Sequence, residues 1–168
     1  MDTLEDFEEF VRMRSAVLLR TSYLLCGGDR GAAEDLLQDV LERMFARWRR
    51  IRGAPEPYAR AALANAAGNR WRRRSRRVRE EPLEHGPPVG VAGPEDQVTD
   101  RDRVVRALGT LPPRMRAVLV LRYFDDLSEA QTAAALSCGV GTVKSQTARG
   151  LVRLRESLDV MEMDGGRK

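Results

Sequence analysis

Lysine is almost missing from this chain: Lys144 and Lys168 are the only two among 29 basic residues. Nearly all positive charge is therefore guanidinium, which makes bidentate contacts to phosphate and guanine that an ammonium cannot. A GC-rich genome is the other reading of the same bias. Cysteine is limited to Cys26 and Cys138, and histidine to His85. These residues have no metal-ligand spacing, and two isolated thiols fit a reducing compartment. No cofactor is implied. Long apolar runs are also absent. The longest, Ala117 to Leu121, falls far short of the roughly 20 residues that span a bilayer. The acidic start lacks the basic and apolar segments of a secretory signal. No segment alternates as a half-buried strand does, and β-branched residues are sparse. No carboxylate cluster with metal-ligand spacing, phosphate-cradling glycine loop or activated nucleophile is present. The expectation is an all-α, cytoplasmic, non-enzymatic chain without membrane insertion.

What is present is segregated charge. The net charge is +4, but the first ten residues hold Asp2, Glu5, Asp6, Glu8 and Glu9, while 57–79 holds eight arginines and no acid. A first helix is predicted over 4–25, stopped by Cys26-Gly27-Gly28. Asp29 suits the cap of a second. There Ala33, Leu36, Leu37, Val40, Leu41, Met44, Phe45 and Trp48 form an apolar stripe, and Asp35, Gln38, Asp39 and Glu42 a separate acidic one. Gly53 to Pro57 breaks the chain, with Pro57 suited to the first position of a third helix. That helix is alanine-rich to Ala67 and then turns basic, with Arg70, Arg72, Arg73, Arg74, Arg76, Arg77 and Arg79 around Trp71. Such a run attracts polyanion, and an exposed Trp can stack on an unpaired base. A buried Trp at the base of a disordered basic tail is the alternative.

Prolines 82, 87, 88 and 94 and glycines 86, 90 and 93 leave no periodicity from Glu80 to about Val98, which predicts a flexible linker. Fully stretched, it reaches on the order of 60 Å. Helices are predicted over 100–108 and 114–124, separated by Leu111-Pro112-Pro113.

The next segment reads as a helix-turn-helix. Ser128 and Gln131 have the spacing of a capping box for a helix through Ala135. Leu136 to Gly139 is a tight turn, and Gly139 caps a second helix from Val140 to about Leu158. Val140, Val143, Thr147, Leu151 and Leu154 share its predicted buried stripe; Thr142, Ser145, Gln146, Arg149 and Arg153 face the other way. Small hydrogen-bonding groups followed by arginines suit a helix that reads base edges and clamps phosphate. An amphipathic surface helix with a solvated basic face is the plainer alternative.

Four pieces, in order, carry a resemblance to the extracytoplasmic-function (group four) sigma factors of bacterial RNA polymerase, closest to an actinobacterial branch. They are Ala33 to Val40, Trp48, Tyr58 through Asn65 with the following arginines, and Leu111 through Arg155. The resemblance implies two small helical domains joined by a flexible linker: sigma region 2 over 1–79, the linker over 80–98, and sigma region 4 over 99–160. It implies a protein that binds core polymerase, directs it to promoters and helps open promoter DNA. Glu34, Asp35, Gln38 and Asp39 would dock on the β′ clamp helices, with Leu37, Val40 and Leu41 supporting them. The Arg52–Pro57 loop and the helix bearing Asn65 would capture an unstacked base of the −10 element, with Arg70, Trp71, Arg72, Arg73 and Arg74 on adjacent DNA. Thr142, Lys144, Ser145, Gln146 and Arg149 would read the −35 element, Lys144 flanking toward phosphate. The β flap and an anti-sigma protein are further implied partners.

Five positions depart from the family pattern. Ser137 replaces a usual Gly, Gly139 a frequent Ser, and Tyr58 the commoner Trp, while Thr132 and Ala135 are smaller than the usual aliphatics. A thinly packed helix-turn-helix is expected. A two-domain regulator of the response-regulator type would share the C-terminal motif, but would need an α/β domain that the N-terminal half does not suggest.

Overall fold

The computed structural model describes residues 3–80 and 99–166. Apart from Glu80, the expected linker lies outside the described residues. Among them every element is helical: α1 (Thr3–Leu25), α2 (Arg30–Arg47), a 3₁₀ turn (Trp48–Arg50), α3 (Pro55–Glu80), α4 (Asp100–Gly109), α5 (Pro113–Leu119), a π-helical turn (Val120–Phe124), α6 (Glu129–Leu136) and α7 (Val140–Gly165).

Local chemistry sets the helix ends. Gly27 and Gly28 adopt φ of +64° and +88°, the left-handed conformation that ends α1. Asp29 Oδ1 accepts from the Ala32 amide at 3.0 Å and starts α2. α3 begins at Pro55, two residues before the predicted Pro57. Thr99 and Asp102 form a capping box on α4, as Ser128 and Gln131 do on α6. The predicted helix over 114–124 holds α geometry only to Leu119 and then widens into the π turn.

In the N-terminal half Ala33, Leu36, Leu37, Val40 and Met44 of α2 are buried with Leu18, Leu24 and Leu25 of α1 and Ala59 and Leu63 of α3. Phe7 meets Phe45 at a tilt and the edge of Trp48, each with ring centroids 5.1 Å apart. In the C-terminal half Leu108, Val118, Leu119, Val120, Leu121 and Val143 are almost fully enclosed. The buried stripe of α7 differs from expectation. Val140 and Leu151 are exposed, and Gly150 is buried in their place. A Cβ at Gly150 would lie 2.9 Å from Met115 Cγ and 3.1 Å from Leu119 Cδ1, so α5 meets α7 closest at its smallest residue. That contact rotates the seam away from the larger aliphatics.

The two halves form one continuous apolar core. Polar contacts join them as well. Arg116 on α5 donates to the Leu25 carbonyl at the end of α1 (2.8 Å), and also to Leu108, Gly109 and Leu111 carbonyls at 2.8 to 3.1 Å. Arg20 donates to the Phe124 carbonyl at 2.9 Å, and Asn65 to the Ala135 carbonyl at 3.2 Å. Thr21 Oγ1 donates to Asp125 at 2.8 Å, and Arg60 Nε lies 3.6 Å from the same carboxylate.

Two of the departures from the family pattern have a defined place in the helix-turn-helix. Thr132 is fully buried, and its hydroxyl has no protein partner. Ser137 sits at φ +52°, the left-handed turn position that glycine serves without cost. Replacing a buried, unpaired hydroxyl by a methyl of the same shape removes a desolvation penalty. Thr132→Val should therefore raise unfolding free energy by about 1 kcal/mol in urea denaturation. A loss of stability would mean that the hydroxyl is satisfied in solution.

Candidate nucleic-acid interface

α2 buries one face and presents the other. Leu37 and Val40 lie in the core and support the outer face from beneath. Glu34, Asp35, Gln38 and Asp39 are all exposed on the outer face, three and four residues apart as a helix requires. Arg30 pairs with Glu34 at 3.2 Å, and Gln38 donates to Glu42 at 3.3 Å. Such exposed pairs contribute little to stability, so the stripe is free to exchange them for a partner.

α3 carries the arginine run as continuous helix to Glu80, with Trp71 49 % exposed; the reading of a buried Trp at the base of a disordered tail does not hold. Arg72, Arg73 and Arg74 are exposed, and Arg72 donates to the Asn69 carbonyl oxygen of its side chain. Arg70 instead forms an ion pair with Asp39. The acidic and basic surfaces, assigned by the sequence to different partners, therefore meet at one pair of residues. Asn65 stands two helical turns after Tyr58 on the same face, and Tyr58 is 39 % exposed.

In α7 Thr142, Lys144, Ser145 and Arg149 are exposed and Gln146 is half-buried. Ser145 donates to the Thr142 carbonyl at 3.1 Å, and Lys144 lies 3.8 Å from Glu129 of α6. Gly139 supplies no side-chain cap, which leaves the first-turn amides of the helix without side-chain acceptors. The α7 face is open to solvent. Asn65, by contrast, is tied to α6.

Sequence reasoning missed the groups between the halves. Burial raises the pKa of Asp125 from the usual carboxylate range, against the opposing effects of Thr21 and Arg60. Burial lowers that of Arg116, although arginine stays protonated in proteins. An arginine one residue before five apolar residues (Ala117 to Leu121) was the available signal for Arg116. Cys26, at the end of α1, is a half-buried thiol. Burial pushes its pKa up to about 11, outweighing the lowering effect of Arg70, Arg116 and Arg74. The thiolate is the reactive form, so Cys26 should resist iodoacetamide at pH 8 in the folded chain and react fully in denaturant. Rapid modification of the native protein, followed by mass spectrometry, would show the site to be open.

The chain matches the model of sigma-70 region 2 over residues 7–77 and that of sigma-70, region 4 over 101–154. It is 39 % identical over 161 residues to an RNA polymerase sigma-E factor of Streptomyces antibioticus, covering 95 % of this chain and 88 % of that protein. It is 31 % identical over 162 residues to the ECF RNA polymerase sigma factor SigE of Mycolicibacterium smegmatis, covering 92 % of this chain and 62 % of that one. Among solved structures it superposes on the sigma factor RpoE, in complex with the anti-sigma factor NepR from Bartonella quintana. The TM-score is 0.77 at 25 % identity, with 93 % of this chain and 98 % of that one covered. CnrH, in complex with the cytosolic domain of CnrY, shares the fold at a TM-score of 0.65 and 18 % identity, covering 94 % of this chain and 90 % of that one.

Proposed function

The chain belongs to the sigma-70 family, in its extracytoplasmic-function group, and from that membership we propose how its surfaces divide the work. It is a transcription initiation factor that binds core RNA polymerase and directs it to promoters. The division assigns 1–79 to polymerase and −10 binding, 80–98 to the linker and 99–160 to −35 binding. Glu34, Asp35, Gln38 and Asp39 dock on the β′ clamp helices, held in register by Leu37 and Val40 beneath. The single observation that carries this assignment is the geometry of α2, whose acidic stripe is exposed while Ala33, Leu36, Leu37, Val40 and Met44 are buried in the core.

Asn65, with Tyr58 on the same face, captures an unstacked base of the −10 element. Arg70, Trp71, Arg72, Arg73 and Arg74 hold the neighbouring strand through phosphate attraction and stacking. Thr142, Ser145, Gln146 and Arg149 face base edges in the −35 major groove, and Lys144, drawn aside by Glu129, meets phosphate. The C-terminal half also takes the β flap. Strand opening then draws on binding energy and not on catalysis by this chain, which acts in the cytoplasm and carries no helix, among the described residues, able to cross a membrane. One structural neighbour was solved with an anti-sigma partner, and we extend that class of partner to this chain.

Asp35→Arg combined with Asp39→Arg should abolish co-elution with core polymerase while leaving helical circular dichroism unchanged. Co-elution of the double variant would remove the docking assignment. Arg149→Ala should weaken promoter binding by roughly 1–3 kcal/mol relative to unrelated DNA, as a lost base contact does. An equal loss on both DNAs, in filter binding at fixed salt, would make Arg149 a phosphate contact.

A further inference from the structure

The helix-turn-helix is almost free of acid. From Leu127 to Arg155 it holds Lys144, Arg149, Arg153 and Arg155 against a single carboxylate, Glu129. An acid beside a surface that meets phosphate weakens binding to every DNA, so its position needs a reason. Glu129 is the first residue of α6, directly after the Ser128 cap, where a carboxylate complements the positive end of the helix dipole. A carboxylate at Ala130, in the same turn, would do the same. The dipole alone does not choose position 129.

The neighbouring cations do. Glu129 Oε1 lies 3.9 Å from Arg122 Nη2 of the π turn, and Oε2 lies 3.8 Å from Lys144 Nζ in α7. The two cations differ in freedom. The Arg122 side chain is 24 % exposed, Nη1 donates to the Leu127 carbonyl at 2.8 Å, and Nε is buried without a protein partner. The Lys144 side chain is 65 % exposed, and Glu129 is its one ionic partner among the described residues. Arg122 is anchored and Lys144 is not. Lys144 can therefore leave without stranding the carboxylate. Nor is the pair needed to hold α6 on α7, since Ala133, Leu136 and Val143 are buried in the core and exposed pairs contribute little to stability.

We propose that Glu129 is a specificity-determining residue, which holds Lys144 off the DNA backbone on unrelated sequences and releases it only where α7 seats in its own site. The inference rests on the −35 reading of α7. On unrelated DNA no fitted base contact fixes a phosphate beside Lys144, and the carboxylate is the competing anion. On the fitted site Thr142, Ser145 and Arg149 set the register, a phosphate takes Lys144, and Glu129 remains with Arg122. One counterion-releasing contact is thereby withheld from non-specific binding and kept in specific binding. Discrimination rises through a penalty on the wrong DNA and without a new contact to the right one.

The test measures binding of core polymerase carrying wild-type chain or Glu129→Gln, across a salt series, to a promoter selected by run-off transcription and to a random duplex of equal length. Glutamine keeps the side-chain size and leaves the Ser128–Gln131 capping box in place. Affinity for the random duplex should rise about three- to fivefold, the most an exposed pair can withhold. Its dependence of log K on log salt should steepen by up to roughly 0.9. Promoter affinity should stay constant, so the specificity ratio falls by the same factor. In a Lys144→Ala background Glu129→Gln should change neither affinity. An unchanged slope on the random duplex, an equal gain on both duplexes, or the same gain without Lys144 would overturn the proposal. A second readout needs no polymerase. Reductive ¹³C-methylation labels Lys144 and Lys168 alone among the side chains. In the free chain Glu129→Gln should shift the Lys144 resonance and leave that of Lys168 in place; an unmoved Lys144 resonance contradicts the pair. A wild-type chain that does not join polymerase would remove the sigma-factor reading, and the random-duplex series on the free chain would then decide the role of Glu129 by itself.

Discussion

One half-buried guanidinium organises this molecule. Arg116 has no acid partner among the described ion pairs and spends its donors on carbonyls at the ends of α1 and α4. Helix C-termini carry partial negative charge and unsatisfied carbonyls, which an arginine fork answers in both respects. Remove that side chain and the Leu25 carbonyl at the end of α1 would lose the donor that reaches it from α5. The junction of Gly27 with Gly109 forms beside it, because only glycine lets the backbones approach that closely. From this point the halves share a core, and the exposed surfaces are positioned relative to one another.

Those surfaces carry opposite charge on adjacent helices. The outer face of α2 is acidic and the far half of α3 is basic, with Asp39 and Arg70 paired where they meet. A partially exposed pair of this kind contributes little to stability, but it costs each residue some availability while it lasts. On the proposed assignment, docking that engages Asp39 would release Arg70 beside the arginine run, which would link polymerase binding and strand capture through neighbouring residues.

Local features were the legible part of the sequence. The capping box at Ser128 and Gln131, the Asp29 cap and the Gly27-Gly28 stop each depend on residues within one turn, and the structure holds all three. The outward placement of Asp35, Gln38 and Asp39 followed from helical periodicity alone. What escaped depended on distant partners. Arg116 meets Leu25 across 91 positions, and Thr21 meets Asp125 across 104. No periodicity encodes such contacts. Nor could it foresee that Gly150 would draw α5 close and turn Val140 and Leu151 outward, because a hydrophobic stripe counts large residues and takes no account of how near a small one permits a neighbour.

The central claim is that this chain makes polymerase open DNA at a chosen place. Permanganate reactivity of thymines on a promoter selected by run-off transcription tests it most directly. With core polymerase and the chain together, reactive thymines should appear in a short patch at the −10 element and nowhere else, and neither component alone should produce them. Reactivity that core polymerase produces alone, or binding of the chain and polymerase to that promoter without any reactive patch, would contradict the account.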